Sequence, residues 1–312
     1  MHHPIVNALT IDLEDYFMVS AFESVVKRES WHLHESRIEP NTRKILDILD
    51  EANGNAGVKA TFFCLGWVGE RYPSLIREID RRGHEIACHG YDHQLVYRMT
   101  PEQFREDILI SKHILEDASG KKVIGYRAPS YSITRQSLWA LDILGEEGYR
   151  YDSSIFPIHH DRYGIPAAPR FPFLVKLDGN GGGGVCAPAD FVRLPLWESK
   201  PCEPRDDCIV EYPISTVRVM GLNIPISGGG YMRLLPYGLI RQGLSRINCD
   251  ENKPFVFYMH PWELDPEQPR MTSISALSRF RHYVNLAGTA YKLKKLLHDF
   301  KFSSMDDVIG VR

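Results

Sequence analysis

The chain has 312 residues, of which 43% are hydrophobic, so it can bury one large core or two modest ones. Its formal net charge of −3 provides no basic field that would gather phosphates, which argues against nucleic acid as a partner. No stretch approaches the roughly 20 apolar residues of a membrane span. The N-terminus also lacks the basic-then-apolar pattern of a secretory signal, so we expect no transmembrane segment and a cytoplasmic location.

Short apolar runs alternate with amphipathic stretches along the chain. The runs are bounded by turn residues and predict buried strands at 5–12, 59–66, 84–89, 123–130 and 255–260. Stretches such as NTRKILDILDEA and TPEQFREDILISKHILEDASG predict helices, the second opened by Thr100 as N-cap and closed by Gly120. This alternation predicts an α/β fold with a parallel sheet, either open or closed into a barrel.

A region rich in glycine and proline, from about 157 to 235, interrupts the alternation. Its run DGNGGGGV (178–185) lacks the features of a phosphate loop or a dinucleotide turn and predicts a mobile loop. The run SGGGYMRLLPY (227–237) is compatible with a substrate-side loop or a tight turn. Apolar residues at helical spacing over 275–300 predict a long amphipathic helix outside the core. We therefore expect a single domain over 1–312 that carries this insertion and a C-terminal helical segment.

Four residues with reactive side chains close predicted strands: Asp12, His89, Arg127 and His260. In α/β barrels the carboxyl ends of the strands converge on one rim, and active sites are built there. The sequence therefore predicts that these four side chains meet at one site.

Two stretches indicate a metal site. LTIDLEDYF places Asp12, Glu14 and Asp15 at the end of the first strand, where three carboxylates repel one another unless a cation or partner compensates. GHEIACHGYDHQL is not a zincin helix, because cysteine stands where H-E-x-x-H needs its second histidine. A one-turn loop can instead bring His89 and His93 to the same ion. Two histidines and a carboxylate with open positions are typical of a catalytic metal centre.

The remaining candidates suit proton transfer. Arg127, in YRAPSYS, could pair with Asp12 and keep it ionised as a base, or could form a purely structural ion pair. His260, in YMHPWELD, is suited to donate a proton to a leaving amine, and the nearby Trp262 could desolvate it. Asp152, in YDSSIFP, could orient Arg127 or His260, or could cap a turn.

The order of these motifs resembles that of the polysaccharide deacetylases with NodB homology, carbohydrate esterase family 4. That family has a first-strand acidic motif, then H-[ST]-x-x-H, R-x-P-Y, an aspartate motif and L-x-H. Here they read TIDLED, HGYDH, RAPS, YDSS and YMH, in the same order and over most of the chain. More narrowly, LTIDLEDYF, CHGYDH, GYRAPSYSI, DSSIFP and HPWE are similar to the subgroup found with exosortase and exopolysaccharide biosynthesis loci.

The resemblance implies a distorted (β/α) barrel with fewer than eight regular units and a divalent metal, commonly zinc. It implies that Asp12 matches the base and Arg127 its tether. It also implies that His89 and His93 match the metal ligands and His260 the acid.

Two departures from the family pattern affect the site. The usual adjacent Asp-Asp is stretched, so the metal carboxylate is either Glu14, on the same strand face as Asp12, or Asp15 after a bulge, with a slight preference for Asp15. The tyrosine of R-x-P-Y is Ser130 here, followed by Tyr131. An oxyanion contact from the backbone N–H survives this change, whereas a role for the ring does not.

The activity implied is metal-assisted hydrolysis of N-acetyl groups in an N-acetylhexosamine polysaccharide, or in its precursor, during exopolysaccharide biosynthesis. The expected partner is thus an N-acetylated glycan, while the polymer and the oligomeric state are left open. Two alternatives remain. One is a cyclic amide or ureide hydrolase, since related barrels resemble allantoinases and imidases. The other is a catalytically inactive barrel that binds glycan.

Overall fold

A computed structural model describes residues 5–177, 191–192 and 208–311 of the chain. The mobile loop predicted for 178–185 lies outside these residues. The strands, in chain order, are β1 (Val6–Leu13), β2 (Thr61–Cys64), β3 (Glu85–Cys88), β4 (Gly125–Tyr126), β5 (Tyr151–Asp152), β6 (Phe173–Lys176), β7 (Phe191–Val192), β8 (Cys208–Glu211), β9 (Thr216–Val219), β10 (Leu222–Pro225), β11 (Val256–Met259) and β12 (Lys301–Ser303). The helices are α1 (Ile38–Asn55), α2 (Gly66–Arg71), α3 (Pro73–Arg81), α4 (Pro101–Ser119), α5 (Trp139–Glu146), α6 (Gly229–Leu234), α7 (Tyr237–Ser245), α8 (Ala276–Tyr283), α9 (Thr289–Asp299) and α10 (Met305–Ile309).

One sheet of ten strands forms the centre of the described structure, in the order β11-β1-β2-β3-β4-β5-β8-β6-β7 with β12 also beside β1. All pairs from β11 to β8 are parallel, and β6 runs antiparallel to β7 and β8. The predicted α/β class with a parallel sheet and outer helices is confirmed. Within the described ranges the path of paired strands does not return to its start, so no closed barrel is seen there.

β1 is the central strand for the site, and seven of its eight residues are buried. Its buried residues include the apolar Ala8, Leu9, Ile11 and Leu13 and the polar Asn7, Thr10 and Asp12, as expected for a central parallel strand that is covered on both faces. Its partners are β11, where Ile11 pairs with Met259, and β2, where Leu13 pairs with Cys64. This register brings the carboxyl ends of β1, β2, β3, β4 and β11 to the same edge of the sheet.

Helix α4 begins and ends where the sequence predicts. Thr100 Oγ1 accepts a hydrogen bond from the Gln103 N–H, and the Gln103 side-chain oxygen accepts one from the Thr100 backbone N–H, which forms a capping box. Gly120 ends the helix in the left-handed conformation, with φ 71°.

Two local predictions are wrong. The single helix expected over 275–300 is two helices, α8 and α9, because Asn285 adopts a left-handed conformation with φ 51° that helical backbone does not accommodate. The run at 227–237 is neither a loop nor a tight turn throughout, since α6 starts at Gly229. The region 157–235 also carries β6 and β8 to β10. None of the described helices combines the length and apolarity needed to cross a bilayer.

Candidate active site

Asp12 and Arg127 form a buried ion pair at the carboxyl edge of the sheet. Arg127 follows β4, and its Nη1 donates to Asp12 Oδ1 at 2.7 Å and to Thr10 Oγ1 at 2.8 Å. Its Nε and Nη2 donate to the carbonyl (3.1 Å) and hydroxyl (3.0 Å) of Ser153. The guanidinium has no exposed surface. The predicted neighbours are thus in contact, and the arginine is fixed from both sides.

The surroundings of Asp12 keep its carboxyl group ionised. Burial favours the neutral acid, but the charges of Arg127 above all, and of His260, outweigh burial and lower the pKa of Asp12. Since Arg127 binds Oδ1, the other oxygen, Oδ2, remains directed to the histidine side of the site, 3.9 Å from His260 Nε2. A carboxylate in this state can accept a proton.

His89 and His93 lie together, with ring centroids 5.6 Å apart. The short loop between them turns back because Gly90 and His93 both adopt positive φ, 74° and 61°. His89 Nδ1 lies 2.7 Å from the Arg127 carbonyl oxygen, so this nitrogen donates and Nε2 is left to accept. Burial lowers the pKa of His89 to about 4 and that of His93 well below its usual value. Both rings are therefore neutral, which is the form that binds metal ions.

Glu14 lies between His93 and His260. Its Oε2 lies 3.1 Å from His93 Nε2, and its Oε1 lies 3.1 Å from His260 Nε2. The side chain is 3% exposed, and Oε2 makes no hydrogen bond. Burial raises the pKa of Glu14 to about 7, against the opposing charge of His260. Glu14 thus offers a buried carboxylate oxygen without a hydrogen bond next to the neutral ring of His93, and an imidazole and a carboxylate are both ligand types that zinc binds.

Asp15 faces away from Glu14 and His93. Its Oδ1 accepts the Tyr16 N–H at 2.9 Å, and its Oδ2 accepts from Ser36 Oγ at 2.9 Å and the Arg37 N–H at 2.8 Å. The sequence-based preference for Asp15 as the metal carboxylate stays a prediction, and in this structure both of its oxygens accept hydrogen bonds from other residues. Asp15 holds the loop that leads into α1, and Glu14 is the acid that reaches His93.

His260 follows β11 and is held by Glu263. Its Nδ1 lies 3.2 Å from Glu263 Oε2, which also accepts the His260 backbone N–H at 3.0 Å. Trp262 stacks on the imidazole with centroids 5.2 Å apart and planes 20° apart. Burial by itself lowers the pKa of His260, but Glu14 and then Glu263 outweigh it and raise the pKa to about 9. The ring therefore carries a proton at neutral pH and can act as an acid.

Asp152 orients neither Arg127 nor His260 directly, and instead caps a turn, which was the alternative left open in the sequence. It accepts hydrogen bonds from Ser154 Oγ at 2.6 Å and the Ser154 N–H at 3.2 Å, rather than from Arg127 or His260. The serines after it make the contacts instead. Ser153 binds Arg127, and Ser154 Oγ accepts the Ala128 N–H at 2.7 Å. Asp152 thus contacts Arg127 only indirectly, through the serines that follow it in the chain.

Ser130 and Tyr131 lie in the turn after β4, both with positive φ, 51° and 55°. Such backbone is strained for residues other than glycine and is often found at functional sites. Ser130 Oγ lies 2.8 Å from Ser20 Oγ. The Tyr131 ring is buried and packs edge-to-face on Tyr258 with centroids 5.2 Å apart.

Two residues of the site were missed in the sequence, Glu263 and Arg233. Arg233 Nε donates to Glu263 Oε1 at 2.9 Å, and both side chains are buried. A sequence signal did exist. Glu263 follows His260 by three residues, and Arg233 follows three glycines, of which Gly229 has no room for a side chain because a Cβ there would lie 1.9 Å from Glu263 Oε2.

Across the described ranges, no set of three or more His, Cys, Asp or Glu side chains already stands in a metal-holding arrangement. The two oxygens of Glu14 lie against His93 Nε2 and His260 Nε2.

The fold and the site together define an α/β protein whose carboxyl edge carries an acid–arginine pair facing a histidine–carboxylate cluster. Residues 30–150 match the family model described as Polysaccharide deacetylase, and residues 184–310 match one described as Domain of unknown function (DUF3473). Over 30–150, which contain the HGYDH and RAPS motifs, the chain is therefore similar to the polysaccharide deacetylases.

Curated relatives with deacetylase names are similar to about a third of the chain. A peptidoglycan-N-acetylglucosamine deacetylase of Bacillus cereus is 34% identical over 102 residues, which are 32% of this chain and 36% of the relative. A peptidoglycan deacetylase of Helicobacter pylori is 31% identical over 102 residues, 33% of each chain. The match thus spans about a third of the length of these relatives.

A solved structure supports the fold over the whole chain. The crystal structure of a candidate polysaccharide deacetylase from Mycobacterium smegmatis aligns with 99% of this chain and 92% of its own, with a TM-score of 0.56 and 18% identity. This likeness shows that the two proteins share a fold.

Proposed function

We propose that the protein is a metal-dependent hydrolase that removes N-acetyl groups from a glycan containing N-acetylhexosamine. The observation that carries the proposal is that Asp12 and His260 lie 3.9 Å apart beside two neutral histidines. Arg127 keeps Asp12 ionised, and the neighbouring carboxylates keep His260 protonated. A base and an acid with pKa values pushed apart are what the hydrolysis of an amide needs. The deacetylase family match over 30–150 supports the same reaction.

The metal would be held by His89, His93 and Glu14, and zinc suits two imidazoles and a carboxylate. When bound, a divalent ion polarises the amide carbonyl and lowers the pKa of water beside it. Two observations support the fit of these residues to a metal ion. One Glu14 oxygen makes no hydrogen bond, and His89 Nδ1 donates to the Arg127 carbonyl, which leaves Nε2 as the nitrogen that can bind.

The protein groups move the protons. Asp12 Oδ2 takes a proton from the attacking water, whose oxygen bonds to the carbonyl carbon. His260 Nε2 gives a proton to the amide nitrogen as the C–N bond breaks, which leaves acetate and a free amine. A backbone N–H at Ser130 is the proposed donor to the oxyanion. Trp262, stacked on His260, restricts water on the acid side.

For the substrate, we propose an exopolysaccharide or its precursor. The motifs LTIDLEDYF, CHGYDH and HPWE, similar to the subgroup found with exosortase loci, support this assignment. The Bacillus and Helicobacter relatives, by their names, act on peptidoglycan. Acetate release should therefore be compared on N-acetylglucosamine oligomers and on peptidoglycan fragments.

The roles are tested by Asp12→Asn and His260→Ala, with His113→Ala on the exposed face of α4 as control. Each site variant should lower acetate release by about 100-fold or more, the usual contribution of a general base or acid. Metal content should stay near that of the wild type, because neither residue is a proposed ligand. Full activity in either site variant refutes its assigned role.

Assays on the same protein preparation distinguish the two rival functions. A cyclic amide or ureide hydrolase would open such rings faster than it releases acetate from glycan oligomers. An inactive glycan-binding protein would bind the oligomers, with zinc supplied, without releasing acetate. We expect acetate release that requires the added metal.

A further inference from the structure

Glu263 is fixed between His260 and a buried arginine. One oxygen, Oε2, serves His260 twice, at the backbone N–H (3.0 Å) and near Nδ1 (3.2 Å). The other, Oε1, accepts from Arg233 Nε at 2.9 Å. Arg233 is the first cause that offsets burial at Glu263, whose pKa is lowered to about 2. The carboxylate therefore carries its charge and has no freedom to leave the imidazole.

Arg233 is itself anchored to the end of α8. Its Nη1 donates to the carbonyls of Arg281 at 2.9 Å, His282 at 2.7 Å and Val284 at 3.3 Å. Asn285 Nδ2 returns a hydrogen bond to the Arg233 carbonyl at 2.8 Å. These contacts use the carbonyls that a helix leaves unpaired at its last turn. Arg233 thus joins α6, α8 and the residues after β11.

The chain provides space for this arrangement at two glycines. A Cβ at Gly229 would lie 1.9 Å from Glu263 Oε2, and one at Gly228 would lie 2.6 Å from the Tyr258 ring. Glycine is required where backbone approaches another group this closely. The residues of the arrangement, Gly229, Arg233, His260 and Glu263, all fall within 184–310, the part matched by the model of unknown function.

We propose that Arg233 and Glu263 are positioning residues for His260, so that the segment of unknown function completes the active site by supplying its proton donor. Glu263 holds Nδ1–H and thereby directs Nε2 to the side of Asp12 and Glu14, and Arg233 keeps Glu263 in place. Residues 30–150 supply His89, His93 and Arg127 but no group in this position. The inference rests on the proposed function, because it assigns His260 the donation of a proton to the leaving amine.

The kinetic test compares two leaving groups. Glu263→Gln keeps the size of the side chain and removes its charge. Acetate release from N-acetylglucosamine oligomers should fall by about 100-fold, whereas hydrolysis of 4-nitrophenyl acetate should change by less than about threefold, because a nitrophenolate departs without a proton. Asp12→Asn should abolish both reactions, which shows that both use this site.

A second variant removes folding as an explanation. Glu263→Gln leaves the Arg233 cation buried and unpaired, whereas the double variant Arg233→Met/Glu263→Gln leaves no buried charge. The double variant should fold like the wild type and still lose amide hydrolysis selectively. Equal loss on both substrates, no loss on the oligomers, or recovery of amide hydrolysis in the double variant would each overturn the proposal.

A third measurement does not depend on activity. In protein labelled with ¹⁵N-histidine, the His260 Nδ1 signal, assigned by its absence in His260→Ala, should shift in Glu263→Gln. An unchanged signal overturns the positioning role. If the wild type releases no acetate from any N-acetylated glycan, the proposed function fails, and this spectrum still decides whether Glu263 holds His260.

Discussion

The base and the acid of the candidate site are held in different ways. Asp12 is fixed by Arg127, whose partners stand on β1 and directly after β5, so the base side is built by neighbouring strand ends. His260 is fixed by Glu263 and, through it, by Arg233 on α6. The acid side therefore depends on helices packed outside the sheet. Regular sheet geometry makes the strand-end residues, including His260, predictable from the sequence, whereas Arg233 as the partner of Glu263 is recognised only when the helices are in place.

The largest expected effect is on the base side, from Arg127→Met. Removing the guanidinium leaves the Asp12 charge buried without its partner, which should cost about 3–5 kcal/mol of unfolding free energy. Acetate release should fall by about 1,000-fold or more, since the base loses both its orientation and its ionised form. Chemical denaturation and the acetate assay measure the two effects.

Two comparisons make the Arg127 result specific. Arg82→Met removes three ion pairs on partly exposed surface and should cost no more than about 1 kcal/mol. The double variant Arg127→Met/Asp12→Asn should regain stability, because no buried charge remains, but not activity. A stable and active single variant would mean that Asp12 does not need its partner.

The next effect concerns Glu14, which contacts both sides of the site. Glu14→Gln should weaken zinc binding by about 10- to 100-fold, since a neutral amide replaces the carboxylate ligand. Asp15→Asn is the matched control. It should leave zinc affinity unchanged and cost about 1–3 kcal/mol of stability, because it weakens the hydrogen bonds to Ser36 and Arg37.

Competition with a chelator measures the affinity, and thermal unfolding of the metal-free protein measures the stability. Loss of zinc affinity in Asp15→Asn with none in Glu14→Gln would reinstate Asp15 as the ligand. It would also require the loop before α1 to rearrange on binding.

The smallest effect is expected from Gly229→Ala on the acid side. The new methyl group would lie 1.9 Å from Glu263 Oε2 and must displace it, so amide hydrolysis should fall by about tenfold, as small misplacements near a reacting group do. Gly230→Ala is the matched neighbour, since its Cβ would meet only Arg233 Nη2 at 4.0 Å. Equal activity in the two variants would show that the acid side tolerates movement.

Sequence patterns predicted the fold class and the convergence of Asp12, His89, Arg127 and His260. They succeeded because each residue closes a buried strand, and parallel pairing carries the carboxyl ends of such strands to one edge. Capping residues likewise predicted the ends of α4, since the hydrogen bonds of a cap are local.

Side-chain direction beyond a strand end was not predictable in this way. The Glu14 N–H bonds to the Asp12 carbonyl at 3.0 Å, a tight turn that ends the alternation of β1 and sends Asp15 towards Ser36 instead of His93. Similarly, the Asp152 side chain bonds to Ser154, and Arg127 bonds to Ser153 instead. The two-residue period of a strand predicts the face to which a side chain points only for residues inside the strand.

The sequence by itself thus determined which strands form and which reactive residues end them, because apolar periodicity and capping act over a few neighbouring residues. Only the tertiary structure decided that Glu14 reaches the histidines, that α8 and α9 separate at Asn285, and that Arg233 meets Glu263. These outcomes depend on packing between segments that are far apart in the chain. A local sequence pattern does not show which buried charges such packing brings together.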